Sequence, residues 1–308
     1  MSITINRRAF QQPRKHKPPV KVVPEPPPQP LLDKPLTKPD LVICCRTHKD
    51  PTLVLDTLDS VKWSCDPSTT QICAAVDANP ALAERLQDCH IPTYLSPVKR
   101  GWGVGLFSML MDSIIWAQQQ WGNTHFMTID YDTLFLNPGV DSYFLSLITS
   151  ESVGLIGRHN PNNVHWKDVF GKQKKSIERV LGPIPLDYIP GEGVQGGCFA
   201  LTSAGIQALA KNGFLAPPKK EAKHYTTIAD DHLITLVMRY CGLAVMDGGA
   251  KLACSWKAYR DPRGMEKSGI LVFHPIKMTS AFQAQHRGTE IEIRNYFRRL
   301  RGRELLKR

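Results

Sequence analysis

No stretch of this 308-residue chain stays apolar for the roughly 20 residues a bilayer-spanning helix needs, so no transmembrane helix is expected. The basic residues near the N-terminus have no apolar run behind them, so no secretory signal is expected either. Eight cysteines are present (Cys44, Cys45, Cys65, Cys73, Cys89, Cys198, Cys241 and Cys254), yet no two are spaced as C-x-x-C and most sit inside apolar runs. That pattern speaks against a zinc site or a disulfide framework and for buried thiols in a reducing cytosol. Internal repeats are absent. The body of the chain also has little net charge. Of the total of +11, residues 1–40 hold eight Lys/Arg against three Asp/Glu, and residues 289–308 hold seven against three, which leaves only +2 for residues 41–288. A near-neutral body disfavours a nucleic-acid-binding protein. Basic ends can meet an anionic lipid surface, or can simply be solvated tails.

What is present is a chain long enough for one large α/β domain or two small ones, with 42% hydrophobic residues to form a core. Residues 1–40 contain ten of the 24 prolines, including Pro26-Pro27-Pro28, and read as a disordered, partly polyproline leader: a tether, or a ligand of the SH3 type. The globular domain is expected over 41–288, followed by a basic helix or tail over 289–308.

The most informative stretch runs from Thr124 to Leu136. An apolar strand reaches two acids, Asp130 and Asp132, and then turns apolar again. Residues two apart on a strand point to one face, so both carboxylates can reach a single divalent cation. Charges at the end of a buried strand are paired or hold a metal; the plainer alternative is a strand-to-loop turn ended by acids.

Around it, apolar runs and helical spacing alternate. Strands are expected at Leu41–Cys45, Gln71–Val76 and Thr93–Leu95, with helices over about Pro51–Val61 and Ala81–Gln87 and a long helix opened by Gly101-Trp102-Gly103-Val104-Gly105. This β-α-β-α-β-α-β order predicts a mostly parallel sheet with helices on both faces, and a ligand site beyond the carboxyl ends of its strands, where Asp77, Asp130 and Asp132 fall. Farther on, a short strand is expected at Val153–Gly157. Residues 158–190 read as a polar, proline-marked excursion over the site. A glycine-led strand follows at Gln195–Leu201, then a helix from Ser203 to Asn212, a helix from Ala229 to Cys241 capped by Thr227, and strands at Leu243–Met246 and Ile270–His274.

Met127 to Pro138, with its acid-x-acid pair, resembles the DxD segment of glycosyltransferases of the GT-A fold, and other stretches follow in the same order over residues 41–275. Leu41–Arg46 is similar to their first strand, and Asp77 to the acid that contacts the nucleotide. Lys99–Met111 resembles the basic, glycine-containing lead into the next helix. Gln195–Phe199 resembles the Gly-Gly-aromatic segment beside donor and acceptor, Ala229–His232 the acidic helix start, and His274 the late histidine of the metal shell in some families. The resemblance implies a single Rossmann-like GT-A domain with a mixed sheet flanked by helices. It implies a metal-dependent hexosyltransferase acting on a UDP- or GDP-sugar and a glycan, lipid-linked or protein acceptor, in the cytoplasm, either free or peripheral to the inner face of a membrane.

On that resemblance Asp132 is the direct ligand of Mn²⁺ or Mg²⁺, Asp130 the supporting ligand or ribose contact, and His274 a third ligand that would favour Mn²⁺, since imidazole is the softer donor. Asp77, Lys99 and Arg100 would hold the nucleotide and diphosphate, and Gly196 and Gly197 would admit the sugar ring. Asp231, with Asp230 as runner-up, would be the base of an inverting reaction. Trp102, Trp166 and Trp256 could stack on a sugar. Each has a structural alternative: Asp77-Ala78-Asn79-Pro80 is good turn chemistry, acids at a helix start complement its dipole, and a histidine before Pro275 can be a core-edge hydrogen bonder. A nucleotidyltransferase, the nearest rival, would need a glycine-rich basic loop after the first strand, and Arg46–Pro51 has no glycine.

Overall fold

Seven consecutive buried residues, Leu41–Thr47, form the central strand β1. An apolar run without alternation is what a strand covered on both faces requires. Strands β2 (Thr70–Asp77) and β4 (His125–Asp130) lie parallel to it on either side, and β3 (Thr93–Ser96) lies beyond β2. The connecting helices are α1 (Pro51–Ser64), α2 (Pro80–Asp88) and α3 (Val104–Trp121). Helices α1 and α2 each begin at a proline, where the missing N–H costs nothing, and are capped by the side chains of Asp50 and Asn79. This computed structural model describes residues 38–48, 50–101, 103–215, 228–255, 261–276 and 289–307.

The second half reverses direction. After β5 (Leu134–Phe135), α4 (Val140–Ser146), β6 (Val153–Asn160) and α5 (Val164–Leu181), strand β7 (Gly193–Leu201) inserts antiparallel between β4 and β6. Helices α6 (Ser203–Lys211) and α7 (Asp230–Tyr240) follow, then β8 (Ala244–Asp247), β9 (Leu252–Cys254), β10 (Val272–His274) and α8 (Glu290–Leu300). The main sheet has the order β3-β2-β1-β4-β7-β6-β8, and a small sheet β5-β10-β9 stands beside it. This is the mixed, helix-flanked α/β sheet that the sequence implies. One apolar layer lies between the sheet and α3, α5, α6 and α7; a second lies between the sheet and α1, α2 and α4.

Two segments differ from expectation. Residues 158–190 contain the 18-residue helix α5, capped by Asn163 and packed inward through Phe170 and Ile177. Its prolines, Pro161 and Pro183, flank the helix rather than interrupt it. The C-terminal segment forms the expected basic helix, α8, but this helix is docked on the domain rather than solvated. Arg294, Arg298 and Arg301 all pair with the buried carboxylate of Asp56 on α1, while Arg301 and Arg303 pair with Asp59. Beneath them Ile293 and Phe297 join Leu134, Leu136, Phe273 and Ile276 in a small apolar cluster. The leader (1–37) and the capping role assigned to Thr227 lie outside the described residues. Helix α7 starts at Ala229 without a side-chain cap. All eight cysteines are free, and no helix among the described residues is long and apolar enough to cross a membrane.

Candidate active site

Strand β4 ends at Asp130, where Arg46 of β1 is its register partner. The chain then makes a tight turn in which the Thr133 amide donates to the Asp130 carbonyl at 3.0 Å. This turn is tied down at each residue. The Tyr131 carbonyl accepts from the Arg294 guanidinium at 2.9 Å and from the Thr57 hydroxyl. The Asp132 carbonyl accepts the Ile276 amide at 2.9 Å, and the Thr133 hydroxyl donates to the Gly197 carbonyl at 2.7 Å. The small sheet therefore exists to good purpose: β10 brings His274 to the acids, and the chain just after it fastens the turn.

The three predicted metal-binding side chains do come together, with one donor atom from each of Asp130, Asp132 and His274 all within 4.8 Å of one another. His274 Nε2 lies 3.3 Å from an Asp132 oxygen and 3.8 Å from an Asp130 oxygen. Its Nδ1 is committed to the Ser255 carbonyl at 3.0 Å, so Nε2 is the nitrogen turned towards the carboxylates. A neutral imidazole so held aims its lone pair at two anions, an arrangement that needs a proton or a cation between them. Burial disfavours the imidazolium, but the charge and hydrogen bond of Asp132, with the charge of Asp130, outweigh it and lift the pKa to about 8. The donor set, two carboxylates and one imidazole with Asp132 wholly buried, fits Mn²⁺ or Mg²⁺.

Arg46, at the end of the first strand, has no role among the sequence-based expectations. It is buried, and its guanidinium pairs with Asp130 at 3.0 Å and with Asp230 at the start of α7. The signal that singled out Asp130, a charge at the end of a buried apolar strand, applies equally to Arg46. Between them, Arg46 and Asp230 set the environment of Asp231. Burial, together with the charge of Asp230, raises the Asp231 pKa to about 7, against the opposing hydrogen bonds from the His232 and Gly196 amides and the charge of Arg46. His232 donates from Nδ1 to the Glu192 carbonyl at 2.9 Å, and burial lowers its pKa to about 4, so it is neutral.

Strand β7 runs past both groups and needs its glycines. A Cβ on Gly197, whose φ is +90°, would lie 2.2 Å from the His274 ring, and one on Gly196 would lie 3.1 Å from an Asp231 oxygen. At Gly197 the missing side chain thus makes room for His274. Glu192, just before β7, is fully buried and paired with Arg239 and His159. Trp166 stacks on the His232 ring at 4.8 Å, so this face of it is taken; Trp102 and Trp256 lie outside the described residues.

The nucleotide-side residues sit at the same sheet edge with other partners. Both oxygens of Asp77 accept loop amides, from Arg100 at 2.7 Å and Gly101 at 3.2 Å, which is turn-holding chemistry. The Arg100 side chain pairs with Asp112 of α3, and Lys99 is exposed.

No family model matches the chain. No curated protein matches it either. Among solved structures, similar folds include a mannosyltransferase of Pyrobaculum calidifontis in complex with GDP-Man and Mn²⁺, at 15% identity and a TM-score of 0.42, covering 71% of this chain and 58% of that one. Mouse xyloside xylosyltransferase 1 in its apo form is similar at 11% identity and a TM-score of 0.41, covering 77% and 96%. A glycosyltransferase involved in glycosylation of the major capsid of PBCV-1 is similar at 11% identity and a TM-score of 0.43, covering 80% and 98%. The chain thus spans less than two thirds of that mannosyltransferase. All three neighbours are glycosyltransferases.

Proposed function

We propose that this chain is a metal-dependent glycosyltransferase that moves a hexose from a UDP- or GDP-sugar to an acceptor hydroxyl with inversion. The observation that carries the reading is the convergence of Asp130, Asp132 and His274 within 4.8 Å at the carboxyl edge of the parallel strands. A divalent cation held there would offset the charge that develops on the diphosphate leaving group. Asp132 is the direct ligand in this reading, Asp130 the supporting one, and His274 the ligand that tilts the preference to Mn²⁺.

The chain's own groups account for the rest. Arg46 draws the charge of Asp130 and Asp230 into ion pairs, which leaves Asp231, of the two acids that begin α7, without a cationic partner among the described residues. With a pKa of about 7, Asp231 is suited to take the acceptor's proton near neutral pH, since a general base works best close to the ambient pH. Gly196 leaves its carboxyl accessible from β7. Asp77 would contribute through the Arg100–Gly101 loop it holds, with Lys99 free to reach a phosphate. The acceptor would be a glycan, a lipid-linked sugar or a protein hydroxyl, met in the cytoplasm. Contact with an anionic membrane would fall mainly to the leader, because Arg294, Arg298, Arg301 and Arg303 are engaged with α1.

Incubation with UDP- and GDP-sugars should give Mn²⁺-dependent transfer or hydrolysis. Asp132→Ala should reduce it by roughly 1,000-fold, the equivalent of several kcal/mol of lost charge stabilisation. Undiminished activity in that variant would overturn the metal assignment. Release of pyrophosphate from a nucleoside triphosphate and a sugar phosphate would instead establish a nucleotidyltransferase.

A further inference from the structure

The guanidinium of Arg294 lies 163 positions from the carbonyl of Tyr131 in the chain, yet hydrogen-bonds to it at 2.9 Å. Arg294 is fully buried, and each of its other bonds anchors it to a rigid element. Nε donates to Glu290 one helical turn back at 3.0 Å, and Nη1 donates to Asp56 at 2.9 Å, Thr57 at 3.2 Å and the Leu53 carbonyl at 3.2 Å, all on α1. Tyr131 stands between the two acids, so the plane of its peptide fixes how far the Asp130 and Asp132 side chains diverge. The apolar side of α8 presses on the same region from below: Ile293 and Phe297 cluster with Leu134, two residues after Asp132, and with Ile276, two residues after His274.

We infer that Arg294 is a positioning residue for the cation site, coupling the geometry of the Asp130–Asp132 turn to the docking of α8. The inference rests on the reading of Asp130, Asp132 and His274 as metal ligands. A purely structural role, in which Arg294 only fastens α8 to α1, makes a different forecast, because Arg298 also bonds Asp56 at 2.9 Å and has no bond to the turn. Partners that orient the groups holding a metal typically change its affinity 10- to 100-fold when removed.

The full chain is compared with Arg294→Met, Thr57→Val and Arg298→Met. The readouts are the Mn²⁺ dissociation constant by calorimetry and amide exchange over 130–134 in metal-free protein. Arg294→Met and Thr57→Val should weaken Mn²⁺ binding by about 10-fold or more. Both should also speed exchange of the Thr133 amide, while Arg298→Met lowers the melting temperature and leaves Mn²⁺ affinity unchanged. Thr57→Val is the safeguard if Arg294→Met fails to fold, since it removes one of the two bonds to the Tyr131 carbonyl and one of the bonds that hold the Arg294 guanidinium against that carbonyl. Wild-type affinity together with wild-type exchange in the folded Arg294→Met or Thr57→Val protein would overturn the inference. If the unaltered chain itself binds no Mn²⁺, the metal reading fails, and the exchange of the turn alone then decides whether Arg294 braces it.

Discussion

Asp231 is the residue whose chemistry is most exposed to test. Its pKa is raised from an ordinary 3.8 to about 7 by burial and by the charge of Asp230. As the proposed base it must be ionised, so kcat/KM should rise with pH and reach half its plateau near pH 7. For stability the sign is opposite. A carboxyl whose folded pKa lies above its unfolded one favours the native state while protonated, a contribution complete below about pH 3.8 and lost as pH rises through 7. At pH 8 the ionised group is a net cost, and Asp231→Asn should abolish transfer while stabilising the fold by roughly 1–3 kcal/mol. Denaturant unfolding of the two proteins checks this: the difference should shrink towards zero near pH 4. A variant that is inactive and equally stable at both pH values would mean that Asp231 is not the strained acid described. Local sequence made Asp231 visible as an acid at a helix start. The larger cause of its shift, burial, was not visible, because it comes from the packing of α7 against β7.

At the scale of elements, reading was easiest where the signal was local. Strands β1, β2 and β4 are apolar runs, α1 and α2 announce themselves by a capping side chain and a proline, and all of these lie close to where the sequence puts them. Helix α5 went unread because its flanking prolines obscured inward residues at helical spacing, Trp166, Phe170, Gln173 and Ile177. The basic helix expected over 289–308 is present as α8, but its docking is not legible locally. Its arginines look like a free basic tail until Asp56 and Asp59 are placed beside them, and nothing local says that acids more than 230 residues away will be neighbours. The wholly buried Asp56 serves three arginines, and removing one member of a buried network leaves charges uncompensated, typically at a cost of about 3–5 kcal/mol. Asp56→Ala should therefore unfold at a clearly lower denaturant midpoint. Arg303→Ala, which breaks the exposed pair with Asp59, should change stability by less than about 1 kcal/mol. Equal, small effects from both would show that α8 is not clasped as described.

On the scale of the whole molecule, the site is assembled from chain segments that share only an edge of the sheet. Arg46 ends β1, Asp130 ends β4, Gly196 and Gly197 lie on the antiparallel β7, Asp230 and Asp231 begin α7, and His274 ends β10 in the second sheet. The order of motifs was legible along the sequence. Their convergence depends on the reversal at β7, which lays Gly197 against the β4 end and opens room for the His274 ring. Because the proposed ligands of the cation come from two sheets, its binding should hold those sheets together and raise the stability of the whole fold rather than of one loop. A ligand present at 100 times its dissociation constant stabilises the native state by about 2.7 kcal/mol, provided the unfolded chain does not bind it. Mn²⁺ should accordingly raise the single melting transition of the unaltered chain by several degrees, UDP or GDP with Mn²⁺ should raise it further, and EDTA should reverse both shifts. His274→Ala should lose most of the Mn²⁺ shift, read against its own transition in EDTA, which should itself fall because the buried imidazole no longer faces Asp132. If Mn²⁺ instead stabilises His274→Ala and the unaltered chain alike, the ion binds elsewhere, and β10 does not complete its site.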